Sequence, residues 1–425
     1  MIENKESYSK KSTAMNTVML YILTIAKIIF PLITLPYLTR VLSKDCYGAV
    51  SYVKSYMVYA QLIVDFGFIL SSVKDIVKCE GNKEKIGIVA GHTFLAKIML
   101  SLITFGITVI LCFVIPILKE YIVFTILSYL VVFLSCFLAD FLFRGIEKMH
   151  YISIIFVITK VISTVLTFFF VKSDSNIVWI PLLDIISSFV AIIITIYLVV
   201  FKLKFKIKVT SLRHSFEMIK DSFFYFISNM ATTAFGALNT LLIGIVLSSK
   251  TEIAYWSVCA TVVAAIQSLY APIINGIYPY MIKHKDLNYI HKILFITIPV
   301  LSVGAVCGFF LSKTILYILG GEKYTDAYVL LRCLIPLIFI SFPSMLYGWP
   351  TLGAIGKVKQ TSITTIIAAA FQILGLFILI VFDIFTLINI AWLRFITELV
   401  LFGQRCFLTY KNKALFNQKE VPVAP

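Results

Sequence analysis

Apolar runs of about 20 residues return along the whole chain, with only short polar connections between them. At 1.5 Å per residue, each run is long enough to cross the ~30 Å hydrocarbon core of a bilayer as a helix. A transmembrane β-barrel would instead show ~10-residue segments alternating apolar and polar, and no such alternation is visible. Composition closes the soluble alternative: 60% of residues are hydrophobic and 14% charged, against roughly 25% charged in water-soluble domains. The expected fold class is therefore an all-α polytopic membrane protein.

In order, the runs predict helices near Thr17–Leu38, Tyr47–Ser72, Ile86–Ile115, Tyr121–Leu142, Tyr151–Val171 and Ile177–Phe201. A second set lies near Ser222–Leu247, Ile253–Ile282, Ile293–Leu311, Ala327–Gly348, Val358–Phe382 and Phe385–Thr409. That makes about 12 transmembrane helices. The first run follows a basic tail but is too long for a signal-peptide core and lacks a small-residue cleavage site, so it is read as a retained helix.

Lys and Arg set the orientation. With the N-terminus inside, roughly 24 of them fall on inner segments and roughly 7 on outer ones, the positive-inside pattern. The inner segments include Lys5, Lys10 and Lys11, the Lys74–Lys85 loop and the Lys202–Lys220 loop. Both termini are expected in the cytoplasm. The +16 net charge is spread over short loops, so no nucleic-acid partner is expected.

The basic Lys202–Lys220 connection divides the chain near its midpoint, with six predicted helices on either side. The expected organisation is an N-terminal lobe over 1–201, an inter-lobe loop over 202–221, a C-terminal lobe over 222–409 and a cytoplasmic tail over 410–425. A shift of 205 positions lays Val41-Leu42-Ser43 on Val246-Leu247-Ser248 and Ala49 on Ala254. An even helix count per half gives both halves one orientation, and hence two six-helix lobes around a central cavity.

Several chemistries are disfavoured. None of the eight cysteines forms a C-x-x-C pair, and the five histidines show no metal-binding spacing. No P-loop or G-x-G-x-x-G is present, so no cofactor is expected. The short outer connections carry only scattered acids such as Asp45, Glu120, Asp174 and Glu322, which argues against an enzyme.

The informative residues are the charges inside the spans, because each costs about 2.5–3.5 kcal/mol at a helix centre unless protein or water receives it. Lys27, Lys54, Lys97 and Lys160 fall in four of the first six helices, and Arg332 and Arg394 in the second six. Asp65, Asp140, Asp184 and Glu398 are their acidic counterparts. Polar residues recur beside the lysines at helical steps: Thr17, Tyr21, Thr24, Lys27 and Thr34; Ser51, Lys54, Gln61 and Asp65; Thr93, Lys97, Ser101, Thr104 and Thr108; Ser153, Lys160, Thr164 and Thr167. Four such stripes predict a shared, wet, cationic cavity. The seventh helix adds Asn229, Thr232, Gly236 and Asn239. The candidate substrate-binding residues are thus Lys27, Lys54, Lys97, Lys160, Arg332 and Asn239. Asp65, about 16 Å beyond Lys54 along one helix and so read as an isolated carboxylate, is the candidate for ion coupling.

Plainer readings stand beside these. Ser and Thr in membrane helices commonly serve packing or bond their own backbone, and a cation near an end snorkels. Arg332 is close to an outer edge, and Arg394 and Glu398 are spaced to pair with each other.

The segment Pro31-Leu32-Ile33-Thr34-Leu35-Pro36-Tyr37-Leu38-Thr39-Arg40-Val41-Leu42, with Tyr47-Gly48 and Asp65-Phe66-Gly67-Phe68, resembles the opening of bacterial O-antigen flippases. These form the polysaccharide-transporter branch of the multidrug/oligosaccharidyl-lipid/polysaccharide exporter superfamily. Phe143-Arg144-Gly145-Ile146-Glu147-Lys148-Met149, Leu238-Asn239-Thr240-Leu241-Leu242-Ile243-Gly244 and Tyr347-Gly348 extend the likeness over nearly the whole chain, with Ser43 departing from a common Gly. The resemblance implies a flippase of the bacterial inner membrane. It would move undecaprenyl-diphosphate-linked oligosaccharide repeat units from the cytoplasmic to the periplasmic leaflet, with H⁺ or Na⁺ as coupling ion. The alternatives are a drug exporter or peptidoglycan-precursor flippase of the same fold, and, from a different class, a membrane polysaccharide polymerase or glycosyltransferase.

Overall fold

The computed structural model describes residues 2–233 and 235–416. Lys5, Lys10, Lys11 and Thr17 lie outside the residues whose side chains are described, as does the tail beyond position 416. The chain forms two compact units, Met1–Met230 and Ala231–Pro425.

Unit 1 contains α1 (Ile2–Val41), α2 (Lys44–Asp65), α3 (Phe68–Lys78), α4 (Lys83–Val114), α5 (Pro116–Glu120), α6 (Ile122–Leu134), α7 (Asp140–Gly145), α8 (Met149–Phe170) and α9 (Trp179–Ile196). Helix α10 (Leu212–Thr233) straddles the boundary. Unit 2 contains α11 (Ala237–Val246), α12 (Lys250–Ser268), α13 (Tyr270–His284), α14 (Leu287–Phe310), α15 (Ser312–Gly320), α16 (Tyr328–Leu346), α17 (Val358–Val381) and α18 (Leu387–Lys411). Among the described residues, eleven helical segments are long and apolar enough to span a membrane. A twelfth forms if α10 and α11, bent by 63°, count as one. The chain is a multi-pass, all-α membrane protein. Its surface carries large apolar side chains such as Phe113, Phe169, Phe295, Val300 and Phe377, which suit lipid and would be a liability in water.

Polar residues at helix starts supply the caps. Ser43 accepts from the Cys46 amide at the start of α2, and Asn82 accepts from the Glu84 and Lys85 amides at the start of α4. Asp286 and Thr386 do the same for α14 and α18. Each satisfies amides that have no partner within the helix.

Four predicted spans are divided: the second, the fourth (between α6 and α7), the seventh and the eighth (between α12 and α13). The second was expected as one helix from Tyr47 to Ser72, but α2 ends at Asp65 and α3 begins at Phe68. Phe66 and Gly67 take positive φ values of 39° and 82°, and a side chain on Gly67 would meet the Cβ of Tyr225 on α10 at 2.6 Å. Glycine is therefore required twice over, by its backbone angle and by the close approach. The aromatic ring of Phe66 stacks on Phe226 at 4.4 Å, closing the corner. The seventh span, expected as a single helix over Ser222–Leu247, is likewise divided into α10 and α11, so Asn229 and Asn239 do not share one straight stripe.

The core of unit 1 joins Ile76 of α3, Ala90 of α4, Phe141 and Phe143 of α7 and Ile152 of α8. Leu203 and Phe205, from the connection after α9, belong to the same core. In unit 2 the core joins Tyr270, Ile274 and Ile277 of α13, Leu287 and Ile290 of α14, and Phe342 and Leu346 of α16.

Candidate functional site

The polar interior of unit 1 is built around two ion pairs, Lys97–Asp65 and Lys160–Asp184. Lys97 of α4 is buried, and its Nζ lies 2.9 Å from Oδ1 of Asp65 at the end of α2. The other carboxylate oxygen, Oδ2, accepts from Gln61 Nε2 at 2.8 Å, one turn earlier on α2. Ser135 Oγ lies 2.9 Å from the same Nε2. Asp65 is therefore not isolated, as its distance from Lys54 suggested. It pairs with a neighbouring helix, and helix periodicity carries no information about such partners.

The second pair joins Lys160 of α8 to Asp184 of α9 at 3.3 Å, with Ser163 Oγ donating to the same Asp184 oxygen at 2.8 Å. Asp184, Gln61 and Lys54 line a cavity of about 310 Å³ between α2, α6 and α9, whose apolar wall includes Phe124, Val131 and Pro181. Lys54 is exposed at this cavity and, among the described residues, makes no ion pair within 4.0 Å. It does interact electrostatically with both Asp184 and Lys160. The cavity region thus carries two ammonium groups and one carboxylate. A net positive charge in a low-dielectric, open cavity favours an anionic guest.

Gln61 both lines this cavity and donates to Asp65, and so stands between the cavity and the Asp65–Lys97 pair. Asp140, at the start of α7, interacts electrostatically with Lys97 and Lys27. Lys27 itself is exposed on α1, its Nζ 5.7 Å from the Phe156 ring centroid. Lys160 thus pairs with Asp184 and Lys54 interacts with the same carboxylate at longer range, while Lys97 pairs with Asp65 and Lys27 lies outside the cavity lining.

The hydroxyl stripes around the lysines are largely satisfied by their own helices. Thr34 donates to the Phe30 carbonyl, Thr93 to Val89, Thr104 to Leu100, Thr108 to Thr104 and Thr167 to Ser163, at 2.7 to 2.9 Å. These residues make the spans polar without leaving donors for a ligand.

In unit 2 the candidates have other partners. Asn239 is buried, donates to the Phe235 carbonyl and accepts from Gln372, whose own amide oxygen accepts from Thr397. The Arg332 Nε lies 3.0 Å from the Phe309 carbonyl oxygen and 3.1 Å from Ser312 Oγ, with its guanidinium over the Phe309 and Tyr328 rings. Arg394 pairs with Glu398 at 3.0 Å, as their spacing allows, and stacks on Phe235.

Sequence reasoning passed over Arg405. It is buried and donates to the Ser344 carbonyl at 2.8 Å and to Thr364 and Thr365. Ser344 lies just before a wide turn, Tyr347–Gly353, where Gly348 leaves helical geometry and Pro350 has no amide proton. Arg405 and Thr351, which donates to the Leu346 carbonyl, cover acceptors that the broken helix leaves open. The signal was present, since Arg405 lies seven residues after Glu398 on the buried face of α18.

Comparison with known proteins gives a consistent picture. A candidate O-antigen transporter of Escherichia coli (strain K12) is 25% identical over 376 residues, covering 87% of this chain and 90% of that protein. One from Shigella dysenteriae is 28% identical over 375 residues, covering 86% and 92%. Among solved structures, an inward-facing multidrug resistance MATE family transporter of the MOP superfamily matches with a TM-score of 0.69 at 14% identity, covering 94% of this chain and 98% of that one. The lipid II flippase MurJ in an inward closed conformation matches with a TM-score of 0.67 at 15% identity, covering 93% and 87%. These structures share the fold. Residues 13–285, more than half of the chain, match the family model described as polysaccharide biosynthesis protein, and the chain belongs to that family.

Proposed function

We propose that this protein is a flippase that carries undecaprenyl-diphosphate-linked O-antigen, or a related oligosaccharide repeat unit, from the cytoplasmic to the periplasmic leaflet of the bacterial inner membrane. The observation that carries this reading is the exposed Lys54 ammonium in the unit 1 cavity, beside the Lys160–Asp184 pair. An oligosaccharide brings many hydroxyls, each costing roughly 2–7 kcal/mol to move into hydrocarbon without partners. A polar interior removes that barrier, and the cations offset the diphosphate charge. The polyprenyl chain stays in lipid. Family membership and the two O-antigen transporter relatives support the substrate class.

The transport step exposes this polar interior to one leaflet and then the other, and both termini stay in the cytoplasm, a placement that the Lys and Arg distribution supports. Asp65 contributes to coupling with H⁺ or Na⁺: its pairing with Lys97 leaves one oxygen held by a neutral donor, Gln61. The test is chemical analysis of surface polysaccharide in a deletion strain. Loss of the lipid-linked polysaccharide with cytoplasmic build-up of repeat units, restored by the wild-type gene, is the expected result. Unaltered polysaccharide, with drug sensitivity as the sole defect, would refute the reading.

A further inference from the structure

The connection between α9 and α10 is fixed in place along α4. The amide of Lys208 donates to the Gly87 carbonyl at 3.3 Å, and Lys83 Nζ donates to the Leu203 carbonyl at 2.9 Å. A Cβ on Gly87 or Gly91 would collide with the carbonyl oxygen of Lys206 or Lys208 respectively. These two glycines, four residues apart on one helix face, make the groove in which the segment lies. His92 closes its far end, with Nε2 2.9 Å from Thr210 Oγ1 and Nδ1 2.9 Å from Ser215 Oγ.

This seating sorts the side chains by their alternation. Leu203 and Phe205 enter the unit 1 core, while Lys202, Lys204, Lys206 and Lys208 are exposed. Lys208 pairs with Glu84 at 2.7 Å, and Lys202 lies over the Tyr151 ring. Among the described residues, Lys202, Lys204 and Lys206 have no carboxylate within 4.0 Å. Exposed apolar side chains adjoin the row, namely Phe201, Ile207, Val209, Leu212 and Phe216. A nucleic acid or acidic protein would answer the charge but leave these apolar groups in water. The headgroup region of a bilayer answers both, with phosphates for the ammonium groups and acyl chains for the apolar ones.

We propose that this strap is a binding surface for anionic phospholipid headgroups at the membrane interface, held in place by Gly87, Gly91 and His92. The surface is separate from the transport cavity, and the proposal does not depend on what that cavity carries.

The test uses full-length, detergent-solubilised protein and a fluorescent phosphatidylglycerol whose binding is read by anisotropy. The wild type is expected to bind it, with unlabelled phosphatidylglycerol competing and phosphatidylcholine competing poorly. The triple variant Lys202→Gln, Lys204→Gln, Lys206→Gln is expected to weaken binding about tenfold or more, given three neighbouring interfacial cations. Replacing Lys283, Lys285 and Lys292 by Gln, at the end of α13, in the connection to α14 and in the second turn of α14, should leave affinity unchanged. Gly91→Val should mimic the strap variant by displacing the segment, and the triple variant keeps the test valid if Gly91→Val does not fold. Undiminished affinity in the triple variant overturns the proposal. So does displacement of the probe by undecaprenyl diphosphate at far lower concentration than by phosphatidylglycerol, which would make the strap a reader of that diphosphate.

Discussion

Both units bury charged side chains inside apolar helices, but they satisfy them in different ways. In unit 1 the pairs run between helices, from α4 to α2 and from α8 to α9, beside a cavity containing an exposed lysine. In unit 2 Arg394 pairs with Glu398 on its own helix, and Arg332 and Arg405 donate to backbone carbonyls and hydroxyls. An interhelical pair can exchange partners while both helices remain intact. A guanidinium that covers the carbonyls of a broken helix cannot leave without exposing them. The interhelical pairs of unit 1 are thus the charges suited to the proposed transport cycle, and the unit 2 arginines are suited to holding the fold.

The heaviest loss is expected in unit 2 and concerns folding. Glu398→Gln strands the buried Arg394, and breaking a buried pair costs about 3–5 kcal/mol. The protein should be depleted from the membrane, with a lowered melting temperature in detergent. Normal abundance would show that Arg394 has another acceptor and would blur the contrast between the units. Arg405→Gln should follow the same course.

In unit 1, Lys97→Gln should reduce transport by about tenfold while lowering abundance less than Glu398→Gln, because Asp65 retains its bond from Gln61 and is only partly buried. Asp65→Asn keeps the shape and removes the ionisable group. If Asp65 couples the ion, transport measured in inverted vesicles loses its dependence on the imposed pH or Na⁺ gradient. Retention of that dependence would leave Asp65 a structural partner of Lys97. A weaker effect is expected for Gln61→Glu, which puts a carboxylate beside Asp65 in place of a donor, and the vesicle assay should show slowed transport at unchanged abundance.

The spans and their lysines were legible in the sequence because length, hydropathy and a 3.6-residue period are local properties. Asp184 was visible as a charge, but its pairing with Lys160 was not, since it joins helices whose mutual rotation no single-helix pattern encodes. The broken second span was hidden for a related reason. Phe66-Gly67 lies within an apolar run, and its corner is set by the approach of Tyr225 and Phe226 from a distant helix. The Thr stripes were visible, yet their back-bonding to the preceding turn gives the same spacing as a ligand-facing surface.

The smallest effect is expected for Arg332→Gln, whose interactions at the Phe309 and Ser312 helix end are partly exposed and worth about 1 kcal/mol. Together with Lys54, it shows where the working charge lies when restoration of surface polysaccharide in a deletion strain is measured, normalised to protein in the membrane. Lys54→Gln should fall by about tenfold, Lys54→Arg should recover part of that loss, and Arg332→Gln should match the wild type. Full restoration by Lys54→Gln alongside failure of Arg332→Gln would overturn the cationic-cavity mechanism, because it would move the working charge from the unit 1 cavity to a helix end in unit 2.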